Sequence, residues 1–187
     1  MSVSRIKQLR KACQAANLDG LILTNLDQVR YATGFTGSAG LLVISPRSAE
    51  FYTDFRYTAQ AGQQVKGAKV IEVKGGLITY LAEQDHLRAK NRRYGIAAEF
   101  VTLMVRDQLQ KSLEGCLLVP ADDLLLEMGW VKEKVEIDCI KKAVKISDTA
   151  FERILNIITP GVRESELAAE LEYQMLMLFL LPVNLAV

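Results

Sequence analysis

Histidine is almost absent from this sequence, which has a single one, His86, in 187 residues. Hydrolytic zinc centres draw on several His, Asp or Glu ligands converging on one point, and Ser or Cys nucleophiles need a positioned base. One imidazole beside Asp85, on a stretch that reads as a polar helix, supplies neither and is expected to be a solvated surface residue. Beyond Glu172 there is no Asp, Glu or His at all. Cysteine is sparse and odd in number. Cys13, Cys116 and Cys139 lie far apart, which argues against a disulfide framework or a thiolate zinc site and for reduced, small, buried side chains in a cytoplasmic setting. Charge of one sign is also lacking: 23 Lys and Arg face 22 Asp and Glu, for a net charge of +1. A balance of that kind makes no field that gathers phosphates, so nucleic acid is not expected as a partner. The N-terminal residues MSVSRIKQLRKACQAANL have no apolar core of a secretory signal. The longest apolar run, 175–187, is shorter than the ~20 residues that a bilayer crossing needs and is interrupted by Pro182, so no membrane association is expected.

What is present is an ordinary globular composition, 50% hydrophobic and 24% charged. Elements can be read in order. Ser4 is placed to cap a first helix that Asn17 to Gly20 stops, and the short apolar run Leu21 to Leu23 reads as a strand covered on both faces. A short helix over Asp27 to Tyr31 follows. Next come a glycine-rich loop and an antiparallel hairpin from Gly40 to Thr53, turning at Ser45 to Ser48. Asp54 is expected to open a helix to about Gln64. Strands at 69–73, 93–97 and 116–119 alternate with helices at 77–90 and 102–112, and Asp122 caps a further short helix. Alternation of this kind specifies an α/β fold with a mixed sheet. After Met128 the grammar changes. A long amphipathic helix over 133–158 carries Ile140, Ala143, Val144, Ser147, Phe151, Ile154, Leu155 and Ile158 in one stripe, and a second helix after Pro160 and Gly161 is expected to bury Leu167, Ala168, Leu171 and Met175. Two helices with no strand after them cannot form a domain, so these stripes must pack on the first domain, on another copy, or on residues outside this chain.

Gly34, Gly37 and Gly40 invite a phosphate-loop reading that fails. The spacing matches neither nucleotide motif, and the loop follows a helix and leads into a strand, so no helix dipole backs it. A tight turn using glycine's positive φ is expected instead. Asp54, Arg56 and Tyr57 place an acid, a base and a phenol at the end of a strand, where sheets present functional groups. A helix-capping Asp beside a surface Arg and a packed Tyr is the competing account.

The strings NLDQVRYATGFTGSAG over 25–40 and FYTDFRYT over 51–58 resemble the N-terminal domain of Xaa-Pro aminopeptidases, prolidases and creatinase. VPADDL at 119–124, KEKVEI at 132–137, IKKA at 140–143, PGV at 160–162 and ELAAELEY at 166–173 resemble the crossover into that family's pita-bread catalytic domain, so that similarity runs in order from about Arg5 to Met175. The resemblance implies a creatinase/prolidase-like α/β domain with a mixed six-stranded sheet over 1–127, and the first two helices of an incomplete pita-bread domain over 128–187. It implies no metal or other cofactor in this chain. In the parent, two divalent cations (manganese, cobalt or zinc), held by two Asp, one His and two Glu, activate a hydroxide against the amide bond before proline, and these ligands would lie beyond residue 187. The chain alone is therefore expected to be inactive, with its peptide substrate bound only in the full-length enzyme. In dimers of the family the first domain approaches the neighbour's active site. Arg56, matching the family's Thr-Asp-x-Arg-Tyr pattern, is then the residue expected to fork onto a substrate carboxylate, oriented by Asp54 and Tyr57.

The chain departs from the pattern in its apolar 176–187 tail, which suggests truncation with a shifted reading frame or an artificial end. It departs again at Arg163, where relatives carry a capping Thr or Ser, a change expected to cost about 1 kcal/mol. A creatinase-like amidinohydrolase fragment and a non-catalytic peptide-binding or protein-binding module are the alternatives. The histone-chaperone version of the architecture expects a long acidic extension, which the near-neutral charge opposes. The apolar stripe predicts a homodimer through the C-terminal helices and the N-terminal domain.

Overall fold

The structure, a computed structural model, describes residues 2–180. The chain divides into two compact units, Met1–Trp130 and Val131–Val187. In the first, α1 (Ser2–Ala15), β1 (Gly20–Leu23), α2 (Leu26–Thr33), β2 (Leu41–Ile44), β3 (Ala49–Thr53), α3 (Thr58–Gln64) and β4 (Lys69–Glu72) come in that order. They are followed by α4 (Leu77–Tyr80), β5 (Arg93–Ile96), α5 (Leu103–Ser112), β6 (Leu117–Pro120) and α6 (Asp122–Trp130). One six-stranded sheet has the order β4-β3-β2-β1-β5-β6. Only β2 runs antiparallel to its neighbours.

Every residue of β1 and of β2 is buried, as an uninterrupted apolar run requires when both faces of a sheet are covered. Side chains alternate between two cores. Leu21, Leu23, Leu42, Ile44 and Phe51 join Ile6, Leu9 and Val29 on one face. Ile22, Leu41, Val43 and Tyr52 join Tyr94, Leu109 and Leu113 on the other. The register Leu21 to Ile44 and Ile22 to Val43 keeps these sets apart, since a slip of one residue would exchange them. The edge strands β4 and β6 are only half-buried, and Pro120 ends one of them, where a missing N–H costs no ladder bond.

Several sequence expectations need correction. The first helix already begins at Ser2, so Ser4 lies inside it. The helix expected over 77–90 is one turn, Leu77–Tyr80, followed by 3₁₀ turns at Leu81–Glu83 and Asp85–Leu87, which let both Leu81 and Leu87 reach the core. Asp54 opens no helix, because α3 begins at Thr58 with Tyr57 in the cap position. Asp122 is already helical, and its carboxylate accepts instead from the amides of Ala98 and Glu99, 3.0 Å each, on the loop after β5. Of the three cysteines, Cys13 and Cys116 are buried but Cys139 is exposed.

The second unit is a helical hairpin of α7 (Lys134–Ile154), a 3₁₀ turn and α8 (Glu164–Leu180). Glu136 accepts from the Glu133 amide at 2.8 Å and Glu166 from the Arg163 amide at 3.1 Å, so a carboxylate three residues on satisfies each helix start. Within α7 only Ala150 and Ile154 are buried. The expected stripe stays open: Ile140, Val144, Phe151, Leu155 and Ile158 are each about half exposed. In α8 no residue is fully buried, Ala168 is exposed, and Leu167, Leu171 and Met175 are half-buried. The end of the apolar tail, 181–187, lies outside the described residues.

Candidate functional site

All strands but β2 end on one edge of the sheet, and β2 starts there. Asp54 leaves β3 at that edge and folds back on itself. Its Oδ1 accepts from the Arg56 amide at 2.9 Å and from Arg56 Nε at 3.0 Å, and its Oδ2 accepts from Arg56 Nη2 at 2.7 Å. An Asx turn and a two-point guanidinium fork are thus made by one carboxylate, which is why Asp54 turns the chain instead of capping a helix. Guanidinium and carboxylate hold each other charged: hydrogen bonding from Arg56 keeps the Asp54 carboxyl below its ordinary value, and the same bonds raise Arg56. Two of the five guanidinium N–H donors are used, the Arg56 side chain is 60% exposed, and three donors remain. That leaves room for an incoming carboxylate on a cation whose position is already fixed.

Tyr57 completes the corner. Its hydroxyl lies 2.5 Å from Ser38 Oγ, and this hydrogen bond holds the phenol below its ordinary value. The Tyr57 ring stands edge-on to Phe35 at 5.8 Å and lies 5.5 Å from the Arg56 guanidinium carbon. Gly34, at φ +85°, ends α2 in the left-handed region, as expected of this loop. Gly37 is needed for space alone, since a Cβ there would fall 2.3 Å from Phe35 Cζ and 2.7 Å from Tyr57 Cδ1. The three residues singled out in the sequence therefore do meet. Ser38, their neighbour through Tyr57, was missed; it sits inside the glycine loop, and the signal was the antiparallel β2 that brings this loop back to the exit of β3.

His86 departs from the reading of a purely solvated residue. Its Nε2 lies 3.0 Å from both carboxylate oxygens of Glu50 on β3, which also accepts from the Tyr52 hydroxyl. Burial, reinforced by that bond, raises the Tyr52 phenol. Asp85 pairs instead with Arg88 at 3.8 Å. Among the described residues no group of three or more His, Cys, Asp or Glu could hold a metal ion. The described residues do not fit a dinuclear centre.

Comparison with known proteins accounts for both units. Residues 5–128 match the Creatinase/Prolidase N-terminal domain, and residues 138–180 match Metallopeptidase family M24, which implies a divalent metal in the complete enzymes. The uncharacterized peptidase YqhT of Bacillus subtilis is 38% identical over 171 residues, covering 91% of this chain and 48% of that protein. An Xaa-Pro dipeptidase structure from Bacillus anthracis superposes with a TM-score of 0.87 at 34% identity, covering 95% of this chain and 49% of that one. The X-Pro aminopeptidase structure from Thermotoga maritima gives 0.76 at 31%, covering 90% and 49%. The chain spans about half the length of these relatives. With a mixed six-stranded sheet bearing the Asp54 corner, and a helical hairpin matched to the start of the metallopeptidase region, it belongs to the creatinase/prolidase family.

Proposed function

We propose that this chain is the N-terminal, non-catalytic part of a proline-specific metallopeptidase, an Xaa-Pro aminopeptidase or dipeptidase whose complete form hydrolyses the bond preceding proline. The similarity to the proline peptidases supports this reading, and Arg56, forked onto Asp54 yet keeping three donors at the open edge of the sheet, carries it. Arg56 contacts a substrate carboxylate, Asp54 fixes its plane and Tyr57 flanks it. A guanidinium suits this because its rigid fork matches two carboxylate oxygens at once. The unit 131–187 is the start of the catalytic pita-bread domain. The two cations, manganese, cobalt or zinc, belong to the complete enzyme, which works in the cytoplasm.

Self-association is the second part of the reading, favoured by the open face of α7. Large apolar side chains left in water forgo ~1.5 to 3 kcal/mol each on full burial, so Ile140, Val144, Phe151, Leu155 and Ile158 favour a homodimer through the C-terminal helices. Light scattering at micromolar concentration checks it, and a monomeric mass refutes it. For the active-site reading, the Arg56→Ala change in the full-length enzyme is expected to raise KM for Xaa-Pro peptides with a free carboxylate. An unchanged rate law for such peptides removes the assignment. The 187-residue chain itself, given manganese and an Xaa-Pro peptide, is expected to show no turnover.

A further inference from the structure

α7 packs along α8 and turns Ala150 and Ile154 inward, yet a second apolar row on it stays open. At about 100° per residue, Ile140, Val144, Phe151 and Leu155, the last of these one residue past the helix end, fall within about 60° of one another. Lys141, Lys145, Asp148 and Glu152, all exposed, flank this row on the side away from Ala150 and Ile154. Their signs are segregated, both bases coming first and both acids following. We infer that α7 pairs antiparallel with α7 of a second copy of this chain, across a two-fold axis at Ser147, with each copy's two lysines set against the partner's two carboxylates. The inference rests on the self-association proposed above and fixes its face, direction and register.

The positions along the helix argue for the axis. A two-fold axis across an antiparallel pair sets each residue opposite the one equally far from the axis on the other copy. Val144 and Phe151 are equally spaced about Ser147 to within one residue, and so are Ile140 and Leu155. Each copy's Val144 then packs on the partner's Phe151, and its Ile140 on the partner's Leu155. The charges obey the same axis, although apolar packing does not require it. Lys145 and Asp148 are equally spaced about Ser147 to within one residue, as are Lys141 and Glu152. Apolar row and charges thus give one register independently. At the axis Ser147 is small enough for close approach, and its hydroxyl already donates to the Ala143 carbonyl at 3.2 Å, so burial there leaves no idle donor.

The charges also discriminate between occupants. Within one copy Lys141 and Lys145 stand four residues apart, as do Asp148 and Glu152, a spacing at which like charges repel on a helix. Among the described residues none of the four is in an ion pair. An antiparallel copy relieves both repulsions at once, whereas a parallel copy sets base beside base and acid beside acid. A lipid surface would take up the apolar row, but it favours bases along the polar face, and Asp148 and Glu152 oppose it.

The test measures self-association of the whole chain by sedimentation equilibrium at low salt. The parent is compared with a variant carrying Lys141→Glu and Lys145→Glu and with one carrying Asp148→Lys and Glu152→Lys. All four sites are exposed, so circular dichroism should show an unchanged fold. The parent is expected to dimerise with a Kd in the micromolar range or below. Each variant alone is expected to dimerise at least about tenfold more weakly, because its flank pairs become repulsive, and an equimolar mixture of the two should return to the parent's affinity. Independently, Ser147→Cys in a chain that also carries Cys139→Ser is expected to oxidise to a linked dimer, since residue 147 meets its own copy at the axis and Cys13 and Cys116 are buried. Variants that dimerise like the parent, a mixture no tighter than its components, or a folded dimer that does not link through position 147 overturns this pairing and leaves a homodimer through another face. A monomeric parent overturns the self-association reading as well, and assigns the stripe to further chain in a longer enzyme.

Discussion

Two glycines at the Arg56 corner should respond to the same substitution with opposite signs. A Cβ added at Gly37 would lie 2.3 Å from Phe35 Cζ and 2.7 Å from Tyr57 Cδ1, while a Cβ at Gly62 on α3 would meet nothing within 4 Å. Neither position has a left-handed backbone, so space alone separates them. Phe35 is 1% exposed and packs on Phe51 with centroids 4.7 Å apart, so its ring cannot retreat without disturbing the core. Tyr57 can move outward, but only by giving up Ser38. Overpacking of this kind costs roughly 1 to 3 kcal/mol, and about 2 kcal/mol is expected for Gly37→Ala. For a unit of this size that lowers the melting midpoint by about 8 °C. Gly62→Ala removes a flexible residue from an exposed helix interior and should stabilise by about 0.5 to 1 kcal/mol. Thermal unfolding followed by circular dichroism measures both. A Gly37→Ala midpoint within about 1 °C of the parent, or a fall for Gly62→Ala, refutes the packing account of this corner.

Thiol chemistry should separate the three cysteines. Burial pushes the Cys13 thiol up to about 11 and also raises Cys116, whereas Cys139 is exposed, so a neutral disulfide reagent should label one thiol of the native chain quickly and the other two only on unfolding. Two fast thiols refute the assignment. The Asp54 clamp should be sensitive to acid in one direction only. Arg56 lowers the Asp54 pKa in the folded state, so the clamp's contribution is present above the unfolded value and is lost as pH falls through the depressed folded one. Carboxyl titration by NMR should place Asp54 below the usual aspartate range, and Arg56→Gln should return it there; an ordinary value in the parent chain contradicts the fork.

What was legible in the sequence was whatever is decided locally or by two-faced burial. Leu21 to Leu23 reads as strand because nothing polar interrupts it, and the helix expected over 102–112 is found as α5, one residue shorter because Thr102 caps it through the Val105 amide at 3.3 Å instead of joining it. What was hidden depended on partners far along the chain. Glu50 and His86 are 36 residues apart, and neither has a local feature that selects the other. Helical spacing over 77–90 was overruled by the tertiary demand to bury Leu81 and Leu87, which an unbroken helix did not satisfy. On α7 the apolar stripe was visible, but α7 buries Ala150 and Ile154 and leaves the rest of the stripe for something else to cover.

The candidate site shows how topology converts distant segments into a neighbourhood. Had β2 been parallel to β1, its entry would lie at the opposite edge, and the loop from Phe35 to Gly40 would be a sheet's width from Asp54. Because β2 is antiparallel to both neighbours, its first residue Leu41 pairs with Tyr52 near the end of β3, and Thr53 Oγ1 donates to the Ala39 carbonyl at 2.6 Å. Ser38 then has no choice but to stand beside Tyr57. The same edge receives the segments after β1, β5 and β6, which bring Gln28 on α2, Glu99 on the loop after β5 and Asp122 at the start of α6 to one cavity of about 280 Å³. One reversed strand therefore places a glycine loop against the Arg56 corner, and the reversal of strand order at β1 opens a crevice elsewhere on the same edge. Each feature is a property of strand order and direction, and neither could be read from its own segment alone.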